Sequence, residues 1–157
     1  MKFLRFVLPL LFVSVVSFAQ TKPTISDEDL RKYAVTMDSI DGMKATLTTI
    51  IAEMVQKNEV MSVARYNELF KIAKDEAQLS QKQATPEELA FLKDVEAKRE
   101  EEVARINMNY QALAKDYVGL KAFNAIRKSL ETDNALKTKY ETISKEVGSK
   151  TDSKGGR

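Results

Sequence analysis

The chain has 157 residues, 25 of them basic and 23 acidic, with no His, Cys or Trp. That composition excludes disulfides, imidazole bases, thiol nucleophiles, thiolate metal sites and acylation of a terminal cysteine. Lys2 and Arg5 precede an apolar run over residues 6–18, and Ser17-Phe18-Ala19 has the small-x-small form of a cleavage site. Residues 1–19 therefore read as a signal peptide, too short an apolar stretch for a span of about 20 residues. Its removal takes two positive charges and leaves 23 basic and 23 acidic residues (25 − 2 against 23), so no basic surplus supports nucleic-acid binding.

After a polar leader, residues 20–25, the first helix starts with Ser26 as N-cap, Ile25 and Leu30 as a hydrophobic staple and three acids in the first turn. Apolar residues recur at Leu30, Tyr33, Met37, Ile40, Leu47, Ile51 and Met54, one helical face with a gap at Lys44. Asp41-Gly42 is its weak point and a candidate kink, since an internal Gly costs about 1 kcal/mol relative to Ala. The helix should end near Asn58. It is too long to stand alone in this composition and needs a partner.

A second, shorter helix starts at Ser62, with Met61 and Tyr66 as the staple and Tyr66, Leu69, Phe70, Ala73 and Ala77 as the apolar stripe. Residues 76–84 are polar and Gln-rich, and read as either a loose helical continuation or a linker. Thr85-Pro86-Glu87-Glu88 then opens a third helix: a capping hydroxyl, Pro where no N–H is needed, and a Glu three residues on to close a capping box. Leu89, Leu92 and Val95 lead into a charged run over residues 96–102, expected on the solvated face. Val103, Ile106, Tyr110, Leu113 and Tyr117 resume the stripe.

Gly119 breaks the third helix. Its position corresponds to that of Ser62 at an offset of 57 (119 − 62), and Val118 and Phe123 repeat the staple of Met61 and Tyr66. Asp133 should cap a last short helix through Leu136, Tyr140 and Ile143, followed by a disordered tail over residues 148–157. The start signals Ser26-Asp27-Glu28-Asp29-Leu30 and Thr85-Pro86-Glu87-Glu88-Leu89 also match, 59 residues apart (89 − 30). The organisation is long helix, short helix, long helix, short helix: an internal duplication, residues 26–80 and 85–143, within one helical domain over residues 26–147. The expected fold is all-α, two repeated hairpins in a four-helix bundle-like arrangement, the seams of the long helices facing each other.

Val60-Met61-Ser62-Val63-Ala64-Arg65-Tyr66-Asn67-Glu68-Leu69 resembles the G-L-T-x-x-R-Y-N-x-I element of a bacterial family, domain of unknown function 4168. Ser26-Asp27-Glu28-Asp29-Leu30-Arg31-Lys32-Tyr33-Ala34 is similar to that family's S-D-x-x-L-x-x-F-A opening. Gly119-Leu120, Phe123-Asn124-Ala125-Ile126, Asp133 and Leu136 are similar to its C-terminal element. Val60 stands where the family has Gly, and Phe123 where Tyr is usual. The resemblance covers residues 25–143 and implies an exported helical protein of uncharacterised role, with no catalytic residue to carry over.

The chemistry-bearing residues are few. Any metal site would have to be all-oxygen, no stretch has EF-hand spacing, and Glu100, Glu101 and Glu102 point to different sides of a helix. No metal, cofactor or catalytic group is expected. Asn67 and Asn124, each following an aromatic staple residue, have two readings: amides that satisfy local backbone groups, or a repeat-related pair of ligand contacts. Leu79-Ser80-Gln81-Lys82-Gln83 is similar to the L-T-x-x-Q motif of small periplasmic chaperones of the Spy type, which a helix start explains as well. The resulting expectation is a non-enzymatic, exported periplasmic or secreted protein, a structural or protein-binding module of the cell envelope. A holdase-like chaperone is the second reading and a hydrolase with a His-free site the third. The partner is a protein or another envelope component, with no nucleic acid and no membrane span once the signal is removed; the oligomeric state is open.

Overall fold

The computed structural model describes residues 24–154, with side chains through residue 149, so the signal-peptide expectation and most of the leader lie outside the described residues. The described chain is all-α. Its elements are α1 (Asp27–Lys57), α2 (Val63–Phe70), α3 (Glu76–Gln81), α4 (Pro86–Ala112), a π-helical segment (Leu113–Gly119), α5 (Leu120–Thr132) and α6 (Asn134–Lys154).

The helix starts sit where the local chemistry puts them. The Ser26 hydroxyl accepts from the Asp29 N–H at 3.0 Å, Ser62 from Arg65 at 3.2 Å, and the carboxylate of Asp133 from Leu136 at 3.1 Å. At α4 both arms of the capping box form: the Glu88 N–H donates to Thr85 Oγ1 at 3.2 Å and the Thr85 N–H to Glu88 Oε2 at 3.0 Å. Each bond satisfies a first-turn donor that has no partner within the helix.

α1 and α4 form an antiparallel hairpin, and its interior is divided in two. At one end Leu30, Tyr33 and Ala34 of α1 meet Ala114 and Val118 of the π segment, Phe123 and Ile126 of α5, and Ile143 and Val147 of α6. At the other end Ile51 and Val55 meet Tyr66 and Leu69 of α2, Leu79 of α3, and Leu92 and Val95 of α4. Each end of the hairpin thus draws on both the first and the second half of the chain. Leu69 and Ile126, 57 positions apart, are both 0% exposed and each seals its own end.

Between the ends α1 carries Asp41, Gly42 and Lys44, all exposed, and α4 carries the charged run. That run does not lie wholly on the solvated face. Residues 96–102 wind about two turns around the axis, so Glu102 turns inward. It is 4% exposed, held by Lys98 Nζ at 3.0 Å and by Arg105. Glu102 and the gap at Lys44 interrupt the stripe there, one turn from the buried Ile106 of α4 and Ile40 of α1. α1 runs unbroken through Gly42.

Three expectations are corrected. Tyr117 is not on the buried stripe but 44% exposed, and Ala114 and Val118 are buried instead. The π segment supplies the reason: its wider turn keeps steps of four in phase along Ile106, Tyr110, Ala114 and Val118. Ala73 and Ala77 are likewise exposed, because α2 stops at Phe70 and residues 71–74 form turns before α3. The last helix is not short, nor is residue 148 the start of a disordered tail. α6 spans 21 residues to Lys154, and burial of Val147 in the first cluster anchors its later turns. α6 runs parallel to α1: Lys139 pairs with Asp27, and Glu146 with Arg31 at 2.8 Å.

Candidate functional site

A groove of about 1030 Å³ lies between the α2–α3 connection and α4. It exists because α2 is short. Leu69 and Phe70 are neighbours, so their side chains leave the helix about 100° apart and cannot both enter the core. Leu69 is buried completely, and Phe70, 42% exposed, forms the groove wall. Ile72, Leu79, Leu89 and Leu92 complete an apolar floor.

The Phe70 ring has two face contacts. It stacks on Tyr66 with centroids 5.5 Å apart and planes 19° apart, and the Arg99 guanidinium lies 5.3 Å from its centroid. Glu96 Oε2 lies 3.5 Å from Arg99 Nε, an ion pair without a hydrogen bond. An exposed aromatic ring held this way loses little freedom when a partner covers it.

The neighbouring loop is locked by Arg65. Its Nε donates to Glu88 Oε1 at 2.8 Å and its Nη2 to Glu88 Oε2 at 3.0 Å and to the Lys82 carbonyl at 2.9 Å. Nη1 reaches Glu68 at 3.2 Å, and Lys82 Nζ closes the ring on Glu68 at 2.8 Å. The α4 cap, the α3 terminus and α2 are therefore one unit. The Arg65 hydrogen bonds hold the Glu88 carboxyl below its usual range against the opposing effect of burial, and Lys82, then Arg65, does the same to Glu68. α3 ends in a Schellman motif: the Ala84 N–H donates to the Leu79 carbonyl at 3.1 Å and the Gln83 N–H to Ser80 at 2.9 Å. Gln83 takes a φ of 51°, a left-handed conformation that glycine usually supplies.

Around the groove Lys71, Lys74 and Lys93 are exposed, and among the described residues none of them forms an ion pair. The acids there are mostly engaged. Asp75 caps α3, accepting from the Gln78 N–H at 3.0 Å and from its side chain at 2.6 Å; those bonds lower its carboxyl below the usual value. Glu96 is beside Arg99, which leaves Glu76 against three lysines.

Asn67 and Asn124 are not brought together. Both are exposed, Asn67 on α2 at one end of the hairpin and Asn124 on α5 at the other. The groove was not foreseen from the sequence, where Phe70 stood in the core stripe. The adjacent pair Leu69-Phe70 on a short helix was the available signal. A smaller cleft of about 420 Å³ lies at the opposite end, beside Ile25, Gly119 and Leu120, the last 53% exposed. Among the described residues no group of acidic side chains is arranged to hold a metal ion, and no helix is long and apolar enough to cross a membrane. No family model matches the chain, and no curated protein or solved structure matches it.

Proposed function

We propose that this is an exported, non-enzymatic helical module of the cell envelope that binds a protein partner in the groove beside α2 and α3. The observation that carries this reading is Phe70: a large apolar ring, 42% exposed, in contact with Tyr66 and Arg99 over an apolar floor. Binding surfaces concentrate their energy in such anchored aromatics with charged rims. Export rests on the pattern of residues 1–19, and kinship with domain of unknown function 4168 on the quoted motifs.

A photo-crosslinking side chain placed at position 70, in cells exporting the full chain, tests the reading. Protein adducts should form at position 70 and not at position 108, since Met108 is 66% exposed on α4 away from the groove lining. Equal yields at both positions, or none at either, would count against it. The concave apolar floor also favours the chaperone reading, which predicts that unrelated unfolding clients protect position 70 alike and that equimolar protein suppresses their aggregation.

A further inference from the structure

We propose that the occupant of the groove is an amphipathic helix of a partner protein whose apolar stripe is flanked by acidic side chains. This deepens the protein-binding reading above and rests on it.

Charge complementarity selects the occupant. Lys71 and Lys74 on one wall and Lys93 on the other are exposed and, among the described residues, without ion pairs; against them stand the Asp75 carboxylate at the α3 cap and Glu76, while Glu96 pairs with Arg99, so the groove keeps a basic excess. The wall and floor they flank, Phe70, Ile72, Leu79 and Leu89, are apolar. A helix that laid an apolar face on this floor would carry its flanking residues to the lysines, so Glu or Asp at those positions is favoured and Lys or Arg repelled.

The shape suits a helix. The groove of about 1030 Å³ is open to solvent, so a helix laid on its floor turns its polar back to the water. The duplication shows that the trough is particular to one end. At the offset of 57, the position of Phe70 is taken by Arg127, and α5 continues there through Thr132 where α2 has already ended.

The test uses the chain without its signal peptide and two labelled peptides of roughly 14 residues, about four helical turns. They share one Leu stripe; one has Glu and the other Lys at the flanking positions. Anisotropy should show the Leu/Glu peptide binding about tenfold more tightly, since each exposed ion pair contributes roughly 1.4- to 5-fold. The preference should shrink with added salt and reverse in Lys71→Glu/Lys74→Glu/Lys93→Glu, a variant that breaks no ion pair in the fold. Phe70→Ala should weaken both peptides. Equal binding of the two peptides, both lost in Phe70→Ala, would overturn the acidic partner while leaving the groove as a protein site. Binding of neither peptide, or binding indifferent to Phe70→Ala and to the charge reversal, would overturn the groove reading itself. Saturable binding of laurate with no binding of either peptide would point to an amphiphile and overturn both.

Discussion

Arg65 and Glu88 form a two-point contact, Nε to Oε1 at 2.8 Å and Nη2 to Oε2 at 3.0 Å, across 23 residues of sequence. The same carboxylate closes the capping box on Thr85 at 3.0 Å. One side chain therefore starts α4 and fastens α2 to it. Only a planar fork presents two donors in this geometry, so Arg65→Lys keeps the charge and loses the arrangement. Arg65→Lys should melt below the parent, and Arg65→Ala lower still, in a thermal scan followed by circular dichroism.

The acid dependence has a definite sign. Glu88 is held below its ordinary value of 4.5, with the Arg65 hydrogen bonds as the main cause. A carboxyl depressed in the folded state adds stability that is complete above its unfolded value and is lost as pH falls through the folded one. Glu88→Gln keeps an acceptor for the cap but loses the carboxylate on the Arg65 fork, and should therefore cost about 1–3 kcal/mol at pH 7, the scale of a hydrogen bond to a charged group. The gap between variant and parent should narrow progressively as pH falls from the ordinary value of 4.5 through the depressed folded one. Parallel melting curves across that range, with a constant gap, would mean the ion pair contributes nothing.

Gln83 offers a gain instead. Its φ of 51° lies in the left-handed region at the Schellman position of α3, and side chains with a Cβ are disfavoured there by roughly 1–2 kcal/mol. Glycine removes that penalty and gives back part of it in unfolded-state entropy. Gln83→Gly should stabilise the fold by about 0.5–1 kcal/mol in urea unfolding, with an unchanged m-value.

Signals confined to a few adjacent residues were legible in the sequence. The caps at Ser26, Ser62, Thr85 and Asp133, the staples and the break at Gly119 depend on neighbours only, and each appears at its expected position. What was not legible depends on contacts between distant segments. The gap at Lys44 and the charged run at 96–102 were each visible, but a divided interior follows only when α1 and α4 are set side by side. The π segment is a matter of phase. Leu113 and Tyr117 fit an ideal helix, while packing against α1 and α5 favours Ala114 and Val118. The groove escaped because Phe70 reads as core until the end of α2 is known.

Gly119 has a conformational role and no steric one. Its φ is 89°, and an added Cβ would meet nothing within 4 Å. It turns the chain between the π segment and α5, and with ψ at 125° it lies in a region used mainly by glycine, so Gly119→Ala should cost about 1–3 kcal/mol through backbone strain alone. Gly42, in regular helix and also with open space around it, should behave oppositely, with Gly42→Ala stabilising by roughly 0.5–1 kcal/mol. A denaturant series on both variants checks the pair of signs.

The divided interior makes the sharpest quantitative demand. Leu69 and Ile126, 57 positions apart, are both 0% exposed and belong to clusters with no member in common. Leu69→Ala should cost about 2–5 kcal/mol and Ile126→Val about 0.5–1.5 kcal/mol. With no shared neighbours the two costs should add to within about 0.5 kcal/mol in a double-mutant cycle. Hydrogen exchange gives the spatial half of the test. Leu69→Ala should speed exchange in α2, α3 and the first turns of α4 while α5 and α6 keep their protection, because the charged waist around Glu102 interrupts the packing between the two ends. Loss of protection in α5 from a cavity at Leu69, or a coupling above about 1 kcal/mol, would mean that the two ends share one interior after all.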